Sequence, residues 1–375
     1  MPDMISIPDS RIASPLSSLQ AAMLRGSLDE WTGANVEQVE MDFASDLCMG
    51  NVLEAWALTV ERTEVLRAAF LIEDGEATHI RIGFASAPLL IEKEIPSSWK
   101  AWLAEDRMNP LPLNRACPWR VVAWPDARKL VWTFHHALLD GRSIATILRT
   151  FQDILTGSSE PSDTRLATTR APSDDEIACA EKFHRTAFSG VDSSLPEFPA
   201  DCSNEPACFS SCLGAVAAAN LEAAALRMEV TAATLLTWAW GQAVACASGQ
   251  DSVAVGQVRS GVAKPGQAGF TMNTVPLVID RAPQVPVTPV IQKFRETLLE
   301  MREVETVSPQ DLPSAIFDHP GGPWPGGVVM IQRGTLHHQV GASAAVRAIT
   351  LHETSNEPLL ASAWIHPDQI GRAHV

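Results

Sequence analysis

Two apolar runs separated by a short turn constrain the fold of this chain more than any other feature of its sequence. Trp119 to Trp124 and Leu130 to His136 are apolar, and the polar residues 125–128 lie between them. This pattern is typical of a β-hairpin. A turn from Ala137 to Arg142 then leads into a helix whose apolar residues share one face, and Ser143 can cap it. The sequence therefore predicts an apolar hairpin that runs directly into an amphipathic helix.

Strand-like and helical patterns are mixed in both halves of the 375-residue chain. The main break in composition is a polar stretch, rich in Ser, Thr and Asp, from Thr156 to Asp175. We therefore expect an α/β (α+β) protein of two lobes, each a mixed sheet with helices. The predicted boundaries are residues 1–160 for the N-terminal lobe, 161–175 for the linker and 176–369 for the C-terminal lobe.

The charge balance argues against some classes of partner. The formal net charge is −16, whereas a protein that binds duplexes needs basic surface to replace counterions. We therefore expect no nucleic-acid partner and no membrane partner. The longest uncharged run, Val230 to Gln250, contains Thr, Gln and Ser, and we interpret it as a buried core helix. The N-terminus lacks a secretory signal and the seven cysteines have no framework spacing, which fits a cytoplasmic protein.

The end of the second hairpin strand carries the candidate chemistry. His135 and His136 close this strand, and Asp140 and Gly141 follow after a turn. Successive side chains on a strand point to opposite faces. His136 is therefore expected on the same face as Leu130, Trp132 and Phe134, and His135 on the opposite face. A neutral His beside a buried carboxylate can act as the base in acyl transfer from a thioester. Gly141 is expected to allow a close backbone approach that a side chain would prevent.

Other interpretations of the same residues stay open. The His pair can mark a strand edge, and the Asp-Gly pair can form only a turn. Adjacent His residues on a strand seldom share one metal ion, so no metal site is predicted. A second doublet, His337-His338, lacks the Asp-Gly pair and is interpreted as structural.

The spacing His135-His136-x-x-x-Asp140-Gly141 resembles the His-His-x-x-x-Asp-Gly signature of nonribosomal peptide synthetase condensation domains, in the chloramphenicol acetyltransferase-like superfamily. Further segments resemble other motifs of that family, in the right order along nearly the whole chain. They are Pro15-Leu16-Ser17-x-x-Gln20, Arg62-x-x-x-Leu66-Arg67-x-x-Phe70, Pro118-x-Arg120-Val121, Thr234-Leu235-Leu236-x-Trp238-Ala239, Gly249-x-Asp251, Val255-Gly256 and Phe270-x-Met272-Asn273-Thr274-Val275-Pro276-Leu277. The ordered set is far more specific than the His motif alone.

The resemblance implies two chloramphenicol-acetyltransferase-like lobes with an active-site tunnel between them. It assigns His136 as the catalytic base, with His135 and Gly141 as structural support. By the same resemblance Asp140 orients the turn through an ion pair. Arg62 and Arg67 would brace the site, and either could be the partner of Asp140.

The resemblance also places Asn273 and Thr274 near the substrate tunnel. Three positions depart from the family pattern: Thr63 stands where His is usual, Ala68 where Thr is usual, and Val262 where Arg is usual. The missing Arg is a usual ion partner in that region, and a buried Asp without a partner would be costly.

The activity implied by the resemblance is condensation-type acyl transfer. It forms an amide (or ester) bond between an acceptor amine and an acyl or peptidyl thioester held on the phosphopantetheine arm of a carrier protein. Carrier proteins and adenylation domains are the implied partners, and no bound cofactor is implied. One alternative is a free-standing acyltransferase that uses coenzyme A, although no late Asp-Phe-Gly motif is present. The other is an inactive module that docks carriers, which Thr63 and Val262 favour.

The end of the chain departs from the family. The strand-like run Leu359 to Ile365 would be followed by more chain, and the sequence ends soon after it. Residues 369–375 can be encoded by a sequence that resembles the start of a sequencing adapter. We expect residues 370–375 to be an artefactual tail and the C-terminal lobe to be incomplete, with an exposed apolar face.

Overall fold

The computed structural model describes residues 11–83, 89–114, 117–158, 162–191, 209–261, 263–282, 286–313, 316–317, 327–354, 357–366 and 369–370. Val262 and residues 371–375, on which two expectations depend, lie outside this part of the chain. The elements, in chain order, are β1 Arg11–Pro15, α1 Ser18–Asp29, β2 Val36–Phe43, α2 Met49–Arg62, β3 Ala68–Glu73, β4 Glu76–Ile82, β5 Leu89–Ile91, α3 Trp99–Met108, β6 Trp119–Trp124, β7 Lys129–His135, α4 Gly141–Thr156, β8 Arg165–Leu166, α5 Asp174–Ala187, α6 Ala215–Arg227, α7 Ala232–Ser248, β9 Ser252–Arg259, β10 Gln267–Ala268, β11 Asn273–Asp280, α8 Val287–Glu300, β12 Val328–Arg333, α9 Leu336–Val340, β13 Val346–His352, β14 Leu360–His366 and β15 Gln369–Ile370.

The chain divides into two compact units that are not contiguous in sequence. Unit 1 comprises Met1–Ala171, Val262–Thr271 and Leu336–Asn356. Unit 2 comprises Pro172–Gly261, Met272–Thr335 and Glu357–Val375. Two later segments, Val262–Thr271 and Leu336–Asn356, therefore belong to unit 1. Each unit is built from more than one stretch of the sequence, whereas the predicted boundaries divide the chain at a single linker.

Unit 1 is built on a five-stranded mixed sheet in the order β13-β2-β7-β6-β5. The hairpin predicted from the sequence is confirmed: β6 and β7 pair antiparallel from Trp119↔Phe134 to Trp124↔Lys129. Every residue of both strands is buried. On one face Trp132 packs against Trp56 of α2, with ring centroids 5.1 Å apart. On the other face α3 covers Trp124, and the ring of Trp102 lies 4.6 Å from it. A strand pair covered on both faces can be apolar throughout, which explains the unbroken apolar runs.

The helix after the hairpin, α4, is amphipathic as predicted, with Ile144, Ile147 and Phe151 buried. Its N-cap is Asp140, whose side chain accepts from the backbone N–H of Ser143 at 2.9 Å. Ser143, the cap expected from the sequence, instead lies in the first turn, because the helix begins at Gly141.

Unit 2 contains the five-stranded mixed sheet β11-β9-β12-β14-β15, flanked by helices. Its helix α7 lies within the long uncharged run and is buried on one side, as expected for a core helix. It approaches β11 so closely that a Cβ at Gly241 would lie 2.5 Å from Cδ1 of Ile279. Within the described residues, no helix combines the length and the apolarity that crossing a membrane requires.

An imidazole without hydrogen bonds lies in the core of unit 2. His184 of α5 is 1% exposed, and neither ring nitrogen has a hydrogen-bond partner among the described residues. The rings of Phe183 and Phe317 surround it, with centroids 5.1 and 5.6 Å away. Burial lowers the pKa of His184 to about 4. The folded protein therefore keeps this side chain neutral at a pH where the unfolded chain binds a proton.

We expect the stability of unit 2 to fall as the pH decreases from about 6.5 to about 4, because only the unfolded chain gains the proton of His184 in this window. The loss amounts to roughly 3 kcal/mol at pH 4. His184→Leu should remove this dependence and also the cost of two buried nitrogens without partners. Denaturant unfolding of both proteins between pH 4 and 7 measures the effect. Parallel pH curves would contradict the assignment.

Candidate active site

His136 lies where the central hairpin strand ends and the chain turns towards α4. β7 ends at His135, and residues His136–Leu138 form one 3₁₀ turn. The backbone N–H of His136 donates to the carbonyl of Asn35, just before β2, at 2.6 Å. The position of His136 is therefore fixed by the sheet rather than by a loop.

The imidazole of His136 is held in one tautomer by its own turn. Its Nδ1 lies 2.9 Å from the carbonyl oxygen of Leu139. A carbonyl oxygen only accepts hydrogen bonds, so we assign the proton to Nδ1, which leaves the lone pair on Nε2. The ring of Phe270 packs edge-on at 5.8 Å, and 18% of the His136 side chain remains exposed. Burial lowers the pKa of His136, against the opposing effects of Glu353, the Leu139 carbonyl and Asp140, so the neutral, basic form is favoured.

His135 points to the other face of the strand and is completely buried. Its Nδ1 accepts from the backbone N–H of Ala137 at 3.1 Å, and its Nε2 lies 2.9 Å from the hydroxyl of Ser27. Burial, and to a lesser extent His136, lowers the pKa of His135 to about 3. Both nitrogens of His135 are thus occupied by contacts that shape the turn.

Asp140 is buried, at 2% exposure, and its carboxylate accepts three hydrogen bonds. Oδ1 accepts from the N–H of Ser143, while Oδ2 accepts from the N–H and the hydroxyl of Thr271 at 2.9 and 2.8 Å. The expected ion pair with Arg62 or Arg67 is wrong, because the described part of the chain places no arginine within ion-pair distance of Asp140. Hydrogen bonds from Ser143 and Thr271 satisfy this carboxylate instead.

The two arginines lie elsewhere in unit 1. Arg62 is exposed, and its guanidinium contacts Asp163 at 3.3 Å. Arg67 is half-buried, and its Nε has no hydrogen-bond partner among the described residues. Thr63 is completely buried and bridges to Thr164 through the backbone. Neither arginine therefore holds the turn that carries His136.

The expectation for Gly141 is also wrong. A Cβ at this position would have no atom within 4 Å, so no close approach requires a glycine there. The close approach occurs at Gly269, where a Cβ would lie 2.6 Å from the carbonyl oxygen of Ala167. Gly269 also binds the Ser143 hydroxyl through its N–H and its carbonyl, at 2.9 and 2.7 Å. This glycine, rather than Gly141, lets the returning segment pack beside α4.

Asn273 and Thr274 begin β11 of unit 2. The Nδ2 of Asn273 donates to the carbonyls of Glu305 and Val307 at 2.9 and 3.1 Å. Its Oδ1 accepts from the N–H of Thr274 at 3.0 Å. The amide of Asn273 thus fixes the course of the backbone around residues 305–307.

A carboxyl group that the sequence did not indicate lies close to His136. Glu37 of β2 is buried, and its Oε1 is 3.2 Å from Nδ1 of His136. Burial, reinforced by the charge of Asp140, raises the pKa of Glu37 to about 8. Glu353, after β13, is exposed and interacts electrostatically with Glu37 and His136. The alternation of Val39 and following residues, extended back by one step, would have placed Glu37 on the inward face.

The described residues contain no cluster of three or more His, Cys, Asp or Glu side chains arranged to hold a metal ion. The site contains the partly exposed imidazole of His136, the hydrogen-bonded carboxylate of Asp140 at a helix N-terminus and the buried carboxyl group of Glu37. This arrangement can remove a proton from an incoming nucleophile and stabilise the charge that results.

Comparison with known proteins identifies the family. A family model described as Condensation domain matches residues 12–314. The chain belongs to the condensation-domain family. Condensation domains are acyltransferases that form amide bonds in nonribosomal peptide synthesis, the activity predicted from the sequence. They work with thioesters on the phosphopantetheine arm of carrier proteins, and they act with carrier and adenylation domains.

Curated relatives of this condensation domain are large synthetases. It is 31% identical over 252 residues to nonribosomal peptide synthetase 5 of Aspergillus fumigatus, an alignment that covers 60% of this chain and 11% of the relative. It is 26% identical over 310 residues to nonribosomal peptide synthetase 32 of Fusarium pseudograminearum, with 80% and 3% of the two chains covered. The chain thus spans only a small part of the relatives that it matches.

Solved structures show the same fold. The condensation domain from the monacolin K polyketide synthase MokA superposes with a TM-score of 0.75 at 12% identity, over 96% of this chain and 91% of that one. The first condensation domain of the CDA synthetase gives a TM-score of 0.70 at 18% identity, over 96% and 90%. The predicted fold class, mixed sheets with helices in chloramphenicol-acetyltransferase-like lobes, is confirmed.

Proposed function

We propose that this condensation domain joins a carrier-bound acyl or peptidyl thioester to an acceptor amine, with His136 as the general base. The observation that supports this assignment most directly is the 2.9 Å contact between Nδ1 of His136 and the Leu139 carbonyl oxygen. The Nδ1 proton is directed at the Leu139 carbonyl, so the lone pair of Nε2 is available to a substrate. A base needs this combination of a fixed ring and an unoccupied nitrogen.

The proposed reaction has two proton transfers through the same nitrogen. The amine nitrogen attacks the thioester carbon while Nε2 of His136 takes the proton that the amine loses. The tetrahedral intermediate then collapses, the carbon–sulfur bond breaks, and the imidazolium returns the proton to the departing thiolate. The prosthetic arm belongs to the carrier, so this chain supplies the base and the positioning of the reactants.

Other residues have positioning roles in this proposal. His135 fixes the turn through Ser27 and Ala137, and Asp140 joins that turn to Thr271. We propose that Thr274 and the backbone ordered by Asn273 line the substrate tunnel. Arg62 and Arg67 support unit 1 away from His136, and Gly141 starts α4. Carrier proteins deliver both substrates, and an adenylation domain loads them.

A competition experiment tests the proposal. The purified chain receives an acyl group both on a phosphopantetheinylated carrier protein and on coenzyme A, with an amine and a hydroxyl acceptor present. We expect amide formed from the carrier-bound donor to be the main product. A carrier protein makes contacts with the domain that free coenzyme A cannot make, and this binding energy favours the carrier-bound route. Mass spectrometry of the products measures both routes. Faster transfer from coenzyme A to the hydroxyl would favour the free-standing acyltransferase, and carrier binding without any product would favour the docking module.

A further inference from the structure

The buried carboxyl group of Glu37 lies against Nδ1 of His136. The proposed function assigns the other ring nitrogen, Nε2, to the substrate. Val36 of β2 pairs with His135 of β7, and this register places Glu37 beside the strand end where His136 begins its turn. Oε1 of Glu37 is 3.2 Å from Nδ1 of His136, and the Glu37 side chain is 4% exposed. Since the same Nδ1–H donates to the Leu139 carbonyl, Oε1 of Glu37 lies within ion-pair distance of a ring nitrogen that carries a proton.

Nothing else in the described part of the chain explains the presence of Glu37. Its Oε2 is buried and has no hydrogen-bond partner there. A buried carboxyl group without partners is costly, and neutral apolar side chains would fill the same space without that cost. His136 is the group that Glu37 contacts, so a role toward His136 is the one that its position supports.

We propose that Glu37 is a positioning residue for His136, whose oxygen fixes the Nδ1–H tautomer and whose ionised form stabilises the imidazolium created when Nε2 takes the acceptor proton. This inference rests on the function proposed above. The proton balance is that of the general-base step: one proton moves from the amine to Nε2, and Glu37 supplies a counter-charge without taking it. A charge-assisted hydrogen bond to the imidazolium is stronger than a neutral one, so the ionised pair favours the charged state.

The charged surroundings determine when Glu37 can act. The titratable groups that interact electrostatically with the pair among the described residues are Asp140 at the N-terminus of α4, Glu353 after β13 and His135 on the opposite face of β7. Burial and the charge of Asp140 raise the pKa of Glu37 to about 8, so Glu37 is neutral at pH 6.5 and ionised at pH 9. The effect of Glu37 on catalysis should therefore grow as the pH rises through 8.

Glu37→Gln tests this directly, because the amide keeps an acceptor oxygen but cannot ionise. We expect the ratio of wild-type to variant turnover to rise from near 1 at pH 6.5 to roughly tenfold at pH 9. The ionisation of the substrate amine cancels in this ratio. Glu40→Gln is the matched control, since Glu40 lies on the same strand but contacts Lys129 and His352. Its ratio to wild type should not change with pH, and a flat ratio for Glu37→Gln would overturn the proposal.

Nuclear magnetic resonance of ¹⁵N-labelled histidine separates a failure of this inference from a failure of the proposed function. The His136 signals, identified by their loss in His136→Ala, should show Nδ1 protonated and should shift with a midpoint near pH 8 in the wild type. Glu37→Gln should abolish that shift, and Glu37→Asp should retain it. An unchanged titration in Glu37→Gln overturns the role of Glu37 even if the enzyme is active. A protein that is inactive on carrier-bound thioesters but shows the expected titration leaves the Glu37 contact intact and overturns the proposed function.

Discussion

His136→Ala is expected to reduce turnover roughly 10²–10⁴-fold, the range that a general base contributes. The variant removes Nε2, the ring nitrogen that forms no hydrogen bond with the residues that the structure describes. Folding should be preserved, because the backbone N–H of His136 still donates to Asn35 and the side chain is at the surface of the core. Single-turnover product formation from a carrier-bound thioester measures the loss.

His135→Ala is the matched control for this measurement. It removes the hydrogen bonds to Ser27 and Ala137 from a completely buried position, so its main effect should be on stability. Thermal melts of both variants, taken beside the rates, separate the two roles. Turnover of His136→Ala equal to that of the wild type would remove the base assignment and favour the docking module.

The acceptor sets a further limit on the size of the His136 effect. An alkyl amine is protonated at neutral pH and must lose a proton before it attacks, whereas a poorly basic amine arrives ready to attack. If His136 acts as the base, the loss in His136→Ala should depend on the amine. A loss that is the same for all amines would indicate that His136 only positions the substrate.

The local part of the fold was predictable because the signals for it are local. The hairpin of β6 and β7 follows from two apolar runs and a polar turn, and α4 follows from the spacing of its apolar residues. The hairpin strands are buried on both faces and show as unbroken apolar runs, whereas α4 is buried on one face and shows as a helical period. Strand alternation applies as far as His135, where β7 ends, and His136 already lies in the following 3₁₀ turn.

The partners within the site were not predictable, because strand register and a long-range return of the chain bring them together. Glu37 contacts His136 through the pairing of β2 with β7, which no spacing within either segment reveals. Thr271 reaches Asp140 because residues 262–271 pack with unit 1. A buried carboxylate needs a partner, so one was expected for Asp140, and the family resemblance indicated an arginine. Three donors from neutral groups satisfy the same requirement.

Asp140→Ala is expected to destabilise unit 1 by about 3–5 kcal/mol. Loss of the N-cap of α4 contributes about 0.5–2 kcal/mol. The N–H and hydroxyl of the half-buried Thr271 lose their acceptor, which costs about 1–2 kcal/mol for each group, the lower part of the range for unsatisfied groups. Denaturant unfolding measures the change, and Asp153→Ala on the exposed face of α4 is the control, with an effect within about 0.5 kcal/mol.

The alternative to this hydrogen-bonded role is an ion pair, and two further variants distinguish them. If an ion pair with Arg67 held Asp140, Arg67→Gln would be as destabilising as Asp140→Asn, and both effects would weaken in salt. The three hydrogen bonds instead predict a small effect of Arg67→Gln and a strong coupling between Asp140 and Thr271. In a double-mutant cycle of Asp140→Ala with Thr271→Val, the coupling energy should be about 1–2 kcal/mol. Additive effects of these two substitutions would show that the carboxylate is held by another group.

If the two residues are coupled, the turnover of Asp140→Asn should fall along with its stability. The turn that Asp140 fixes also contains Leu139, whose carbonyl orients the imidazole of His136.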